Sequence, residues 1–188
     1  MSQVTEVRIP FTEQAAIKLH AGDIVSISGD LLTARDAAHK RLVALLERGE
    51  RLPIELQDQI VYYVGPAPAR PGQACGPAGP TTSYRMDPYT PALLEHGLRG
   101  MIGKGLRSAE VIESMKVHKA VYFAAVGGAA ALLARHINSC EVLAYGDLGT
   151  EAIHRLKAER FPAIVAIDAC GNNLYESEPP KYAVRRGL

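Results

Sequence analysis

The sequence contains no tryptophan and only three phenylalanines, so it offers no aromatic platform on which single-stranded nucleic acid could stack. Charge offers no substitute. Twenty-one basic residues against 20 acidic ones leave a formal net charge of +1, too little for a general pull toward nucleic acid or an anionic membrane surface. No apolar run is long enough to span a membrane; the longest, Ala120 to Ala134, is broken by Gly127-Gly128. The opening Met1-Ser2-Gln3-Val4-Thr5-Glu6 lacks the basic start and apolar stretch of a secretory signal. The only cysteines, Cys75, Cys140 and Cys170, form no metal-type pair, and their odd number fits a reducing cytoplasm. Nor do the six histidines pair at zinc-ligand spacing.

What is present describes an ordinary soluble globular chain. Hydrophobic residues make up 47% and charged residues 22%, and the length corresponds to one domain over residues 1–188, with 176–188 as a surface tail. Val4 to Ile9 alternates apolar and polar residues like a half-buried strand, and Asp23 to Ser28 reads as a second strand ended by Gly29-Asp30. Thr33 to Glu47 has helical apolar spacing, with Thr33 and Asp36 placed as a capping box. Further strands are expected at 59–64, 100–103, 120–126, 141–145 and 163–167. Helices are expected at 108–115, with Ser108 as N-cap, and at 128–136 and 150–159. Such alternation predicts an α/β fold around a mostly parallel central sheet.

The chemically pointed segment is Gly76-Pro77-Ala78-Gly79-Pro80-Thr81-Thr82-Ser83-Tyr84-Arg85-Met86-Asp87. Two Gly-Pro pairs force an irregular loop, three hydroxyl residues follow, and Arg85 falls where the first turn of a helix is expected. A cation there opposes the helix dipole, which points to a compensating anion. Two other cations share this setting. Arg35 follows the second strand, and Lys104 sits between Gly103 and Gly105 after the fourth. Ligands of open α/β sheets bind beyond the carboxyl ends of strands, and a charge-assisted hydrogen bond to carboxylate is worth about 1.5–3 kcal/mol. Two or three such cations suit a small dicarboxylate. Each could equally be a solvated charge, or pair with a local acid such as Asp36 or Asp87. Thr81 or Thr82 could cap a helix, bind substrate or relay a proton. His39 can be read as a general base or as a structural or second-shell group. Cys75 could be reactive beside an electropositive loop, with a small buried filler as its default reading, and Cys140 and Cys170 read as core.

Taken together, Thr33-Ala34-Arg35-Asp36-Ala37-Ala38-His39, the block from Gly79 to Asp87, and Gly103-Lys104-Gly105 resemble the beta subunit of the class I fumarase and L(+)-tartrate dehydratase family of iron–sulfur hydro-lyases. Glu151-Ala152-Ile153 and Phe161-Pro162-Ala163 support the resemblance, which runs from Gly22 to Asn173. It implies a swivelling β/β/α domain that closes over a larger, cluster-bearing alpha subunit, in an α2β2-type assembly. It also implies a 4Fe-4S cluster that is bound by that partner and supplies the Lewis acid, with no metal held by this chain. Arg35, Thr82, Arg85 and Lys104 would bind the substrate carboxylates. Thr81 would take the carbon-bound proton with help from Lys104 or bound water, while Asp36, His39 and Asp87 would support these groups from behind. The implied reaction is fumarate plus water to (S)-malate, with dehydration of tartrate to oxaloacetate as the alternative. From a different class, a stand-alone anion- or nucleotide-binding module stays open, in which the hydroxyl loop and Gly127-Gly128 hold phosphate.

Overall fold

The computed structural model describes residues 4–183. Seven strands form one sheet: β1 Thr5–Arg8, β2 Ile24–Thr33, β3 Ile60–Tyr62, β4 Gly100–Gly103, β5 Val121–Ala124, β6 Ile137–Ala144 and β7 Ile153–Ile167. Neighbours run in the order β1-β2-β3-β4-β5-β7-β6, with a further pairing of β2 to β7. The four pairings from β1 to β5 are parallel, and those of β7 with β2, β5 and β6 are antiparallel. The fold is therefore mixed α/β, with mostly parallel strands. Because β7 pairs with both β2 and β5, the ladders β2-β3-β4-β5-β7 return on themselves as a ring.

Residues alternate between the two sides of these strands, and both sides are buried. Ile27, Ile60, Tyr62, Ile102, Phe123 and Val165 pack on one side, where Phe11 meets Phe123 with ring centroids 5.7 Å apart. Their neighbours Val61, Tyr63, Met101 and Tyr122 pack on the other, beneath helices α2 (Asp36–Glu47), α3 (Thr90–Glu95) and α4 (Ala109–Val117). Strands covered on both faces read as continuous apolar runs, which is why β3 and β5 stood out in the sequence. Three shorter helical segments, α1 (Glu13–Ala16), α5 (Ala130–Ala134) and α6 (Leu174–Ser177), and the single turn Pro179–Tyr182 complete the chain. The described part of the expected tail, beginning at Glu176, is largely exposed. No helix among the described residues is long and apolar enough to cross a membrane.

Several expectations are corrected. Most of the helix read at 150–159 is the first half of β7, which begins at Ile153 after the 3-10 turn Gly146–Glu151. Its Arg155, Lys157 and Glu159 point outward while His154, Leu156 and Ala158 are buried, a period of two that a histidine and an alanine disguise. Pairing with β2 on one edge and β6 on the other overrides the helix-forming composition. Gly29-Asp30 does not end β2. Gly29, at φ +127°, sits at a register shift against β7 and the strand continues to Thr33. Thr33 is consequently a strand residue and forms no capping box. Its hydroxyl donates to the Ala152 carbonyl at 3.3 Å and accepts the His154 N–H at 2.9 Å. The strand at 141–145 begins earlier, at Ile137, and the helix at 128–136 shortens to Ala130–Ala134. Ser108 does cap α4, accepting the Val111 N–H.

Phe123→Ala removes a fully buried ring from the middle of the ring of strands and should cost about 3–5 kcal/mol in urea unfolding. Val126→Ala, three residues on and 63% exposed, should change stability by less than about 0.5 kcal/mol in the same titration.

Candidate active site

The carboxyl ends of four adjacent parallel strands form one rim, and every cation singled out in the sequence stands on it. Arg35 follows β2, the loop leading to Arg85 follows β3, Lys104 follows β4, and Gly127 follows β5. The long β3 loop is tied down rather than free. The Tyr62 hydroxyl donates to the Ala78 carbonyl at 2.6 Å, the Ala78 N–H to the Ala130 carbonyl at 3.1 Å, and the Thr81 N–H to the Tyr63 carbonyl at 2.7 Å. Cys75 is buried beneath it.

Thr82 forms a parallel bridge with Lys104, and the Ser83 N–H donates to the Lys104 carbonyl at 2.9 Å. The Ser83 hydroxyl accepts the Lys104 N–H at 3.1 Å and donates to the Tyr122 hydroxyl at 2.9 Å, which donates onward to the Gly105 carbonyl at 3.0 Å. A side chain at position 103 would place its Cβ 2.0 Å from Ser83 Oγ, so only glycine allows this approach. The hydroxyl segment and Lys104 are thus one laced unit. The Lys104 side chain lies along Gly127, its Cδ 3.7 Å from where a Cβ on that residue would stand.

The two arginines are joined by an acid. Asp36 Oδ1 lies 2.8 Å from Arg85 Nε, and Asp36 Oδ2 lies 4.0 Å from Arg35 Nη2. Glu151 Oε1 lies 3.3 Å from Arg35 Nη2. These pairs alternate in sign, and none of them includes Lys104, which is exposed. Arg85 belongs to a single 3-10 turn, Ser83–Met86, and not to the first turn of a helix. The dipole conflict read from the sequence does not arise. The compensating anion is Asp36, supplied by another element.

His39 is fully buried on α2. Its Nδ1–H donates to the Arg35 carbonyl at 2.9 Å, leaving Nε2 as a lone-pair acceptor without a partner. Its ring packs edge-on to Tyr63, with centroids 5.3 Å apart, and near Tyr89. Burial lowers its pKa to about 4, a shift reinforced by Arg107 and opposed by the Arg35 carbonyl and Asp36. A neutral imidazole holds the backbone that carries Arg35.

Asp87 turns away from the other site candidates. Its carboxylate meets Arg107 Nε at 2.7 Å and accepts the Ser108 N–H at 2.7 Å. The Arg107 side chain is wholly buried, its guanidinium carbon 5.4 Å from the Tyr63 ring centroid and 5.1 Å from that of Tyr122. This cation, which sequence reasoning missed, clamps the Ser83–Met86 turn to the start of α4. An arginine in a short polar connection carries no local sign that it will be buried. Glu151 had no role beyond its place in a motif, because its partners lie more than a hundred residues earlier.

The cysteines are apart from this rim chemistry. Cys75 is buried in the cluster against which Cys140 packs, and burial pushes the Cys75 thiol up to about 12 and raises that of Cys140. Cys140 is half-buried, and Cys170 is exposed on the turn leaving β7, correcting its reading as core. No group of three or more His, Cys, Asp or Glu side chains among the described residues is placed to hold a metal ion. A buried, protonated Cys75 thiol with Cys170 exposed on a separate turn does not fit an iron–sulfur cluster.

Comparison with known proteins places this chain in a family. The sequence model described as Fumarase C-terminus matches residues 2–178. The chain belongs to the fumarase C-terminal family. Its relatives include the aerobic class I fumarate hydratase of Escherichia coli K12, 40% identical over 154 residues. Fumarate hydratase 1, mitochondrial, of Leishmania major is also 40% identical over 154 residues. Each match covers 81% of this chain and 28% of the relative, so the chain spans less than a third of the length of these fumarate hydratases. A Methanocaldococcus jannaschii protein with the provisional name L(+)-tartrate dehydratase subunit beta is 36% identical over 171 residues, covering 88% of both chains.

Two measurements test the clamp and the buried imidazole of this fumarase C-terminal domain. Asp87→Ala leaves Arg107 buried and unpaired, and should cost about 3–5 kcal/mol in chemical denaturation. For His39 the folded chain refuses a proton that the unfolded chain accepts between pH 6.5 and about 4, so stability is complete above that window and drains as pH falls through it. Unfolding free energy should drop by about 2 kcal/mol between about pH 7 and about pH 5 from this group, and His39→Gln should flatten that slope. His154, lowered by burial in the same direction, retains the remaining dependence.

Proposed function

We propose that this chain is the carboxylate-binding half of a hydro-lyase, the beta subunit of a fumarate hydratase that interconverts fumarate and (S)-malate. The observation that carries the reading is Asp36 lying between Arg35 and Arg85 on the rim to which Thr82 is laced with Lys104. Arg35 and Arg85 would grip the substrate carboxylates through N–H donors not engaged by Asp36 and Glu151. Lys104 and Thr82 would fix the charge that grows on the carboxylate as the neighbouring carbon loses its proton. Preorganised donors aimed at developing charge are the largest source of rate in such reactions. Thr81 Oγ1 is the atom proposed to take that proton. An unassisted hydroxyl is a weak base, so Lys104, bridged to the next residue Thr82, or a bound water has to favour the deprotonated form.

The cysteines of this chain do not fit a cluster, so the 4Fe-4S group belongs in this proposal to a separate alpha subunit. The relatives' additional length is consistent with such a partner, since the match occupies 28% of the Escherichia coli fumarate hydratase. Tyr84 and Leu106, 62% and 60% exposed, border Arg85 and Lys104 and offer an apolar rim on which that body can land. An α2β2 assembly in a reducing cytoplasm, with this domain swivelling against its partner, belongs to the same reading. The tartrate alternative has its own support in the Methanocaldococcus jannaschii protein, whose match covers 88% of both chains.

The test is turnover of the complex assembled with its cluster-bearing partner, assayed against fumarate, (S)-malate and both tartrate enantiomers. Fumarate and malate should interconvert fastest, and Arg85→Ala should cost at least about 100-fold in kcat. Full activity of that variant sinks the assignment of Arg85, and faster turnover of a tartrate enantiomer transfers the reading to tartrate dehydratase.

A further inference from the structure

Glu151 does two things with one carboxylate. Oε2 accepts the Ala37 N–H at 3.2 Å, while Oε1 lies 3.3 Å from Arg35 Nη2. The first contact ends a need that the local sequence leaves open. The residue at the N-cap of α2 is Arg35, which has no side-chain acceptor and makes no cap hydrogen bond. An acid brought from 114 residues away takes the first-turn donor that the helix leaves unpaired and favours the positive end of the helix dipole. The second contact fixes the arginine that this helix start carries.

Glu151 is itself held rigidly. It ends the turn Gly146–Glu151, and Ala152, the next residue, gives its carbonyl to the Thr33 hydroxyl near the end of β2. The same hydroxyl accepts the His154 N–H, so the start of β7 is stitched to the chain two residues before Arg35. On its other side the Arg35 guanidinium abuts Gly65. A Cβ on Gly65 would lie 3.0 Å from Nη1 and 2.9 Å from the Thr150 carbonyl oxygen. Arg35 Nε is buried and has no hydrogen-bond partner among the described residues. The guanidinium is therefore bracketed by glycine backbone and a carboxylate, with one buried donor unspent.

We propose that Glu151 is a positioning residue that holds the Arg35 guanidinium in a single orientation, in which the N–H donors it does not engage can meet a ligand carboxylate. Its effect on catalysis rests on the hydro-lyase reading given above; its hold on Arg35 does not. Asp36 serves Arg85 in the parallel way, through its 2.8 Å contact with Nε, so each rim arginine has its own acid. Glu151→Gln separates the two tasks, because the amide oxygen can still accept the Ala37 N–H while the ion pair is gone.

The side-chain Nε–H of Arg35, assigned in ¹⁵N spectra by its loss in Arg35→Lys, reports the orientation without any substrate. Its heteronuclear NOE should be that of a rigid group in the wild type and should fall in Glu151→Gln, while the α2 backbone amides stay ordered. Should the Gln variant fail to fold, Glu151→Asp, one methylene too short to serve both partners, should show the same loosening. In the assembled enzyme Glu151→Gln should lower kcat/KM by about 100-fold, as expected for a misplaced binding group. It should lower it no further when added to Arg35→Ala. An unchanged Arg35 NOE in Glu151→Gln overturns the proposal, and so does an equal extra loss in the Arg35→Ala background. A loosened Arg35 in a complex that hydrates nothing supports the positioning and sinks the hydro-lyase reading.

Discussion

The antiparallel seating of β7 between β2 and β5 is the constraint from which the site follows. Four parallel strands alone would leave β2 and β5 as edges of an open sheet, with unpaired N–H and C=O groups along both. A fifteen-residue strand running the other way pairs with both of them and closes the ring, while its first half also carries β6. Closure does more than satisfy hydrogen bonds. Because β7 opposes β2, its amino end meets the carboxyl end of β2, and Ala152 and His154 bond to Thr33 there. Glu151 is thereby delivered to Arg35 by the same ladder that stabilises the fold.

How much of this was readable in the sequence depended on whether the relevant partners were local. The rim itself was readable, since Arg35, Lys104 and the Thr-Thr-Ser segment each follow a strand whose apolar run is unmistakable. What the cations touch was not. Asp36 lies 49 positions before Arg85, and Glu151 lies 116 after Arg35, so no window on the chain contains both members of either pair. The first half of β7 was hidden for a different reason. Thr150 to Glu159 is rich in good helix formers, and propensity outweighs alternation when the buried positions are His154 and Ala158 rather than large apolar residues. Only pairing on two edges reverses that balance, and pairing is not a property of one segment.

Pairing each rim arginine with its own acid has a price in net charge and a gain in order. A bare cluster of three cations would repel itself and would pay for desolvation with no compensation. Here Glu151 and Asp36 neutralise Arg35 and Arg85 while consuming only part of their donors, so direction survives although charge is cancelled. Lys104 is left as the rim's surplus positive charge, held by its backbone against Ser83 and not by an acid. In this arrangement geometry, more than raw charge, selects a ligand, and a planar carboxylate suits the free edges of two guanidinium groups.

The same electrostatics favours the proposal that this rim works against a second body. Lys104 is exposed and the Arg85 side chain is 44% exposed, so both face water. Two unit charges 4 Å apart attract by about 1 kcal/mol in bulk water and about 4 kcal/mol at an effective dielectric of 20. A dicarboxylate on the open rim would therefore be held weakly, and charge developing on it would be stabilised little more than water already does. Covering the rim changes the dielectric without moving a single charge. The exposed side chains of Tyr84 and Leu106 stand where a cover would seal the rim, and their burial would supply adhesion that the paired charges cannot. In the proposed assembly, binding of the partner and activation of the cations would be one event, and an unassembled subunit would not act on small diacids by itself.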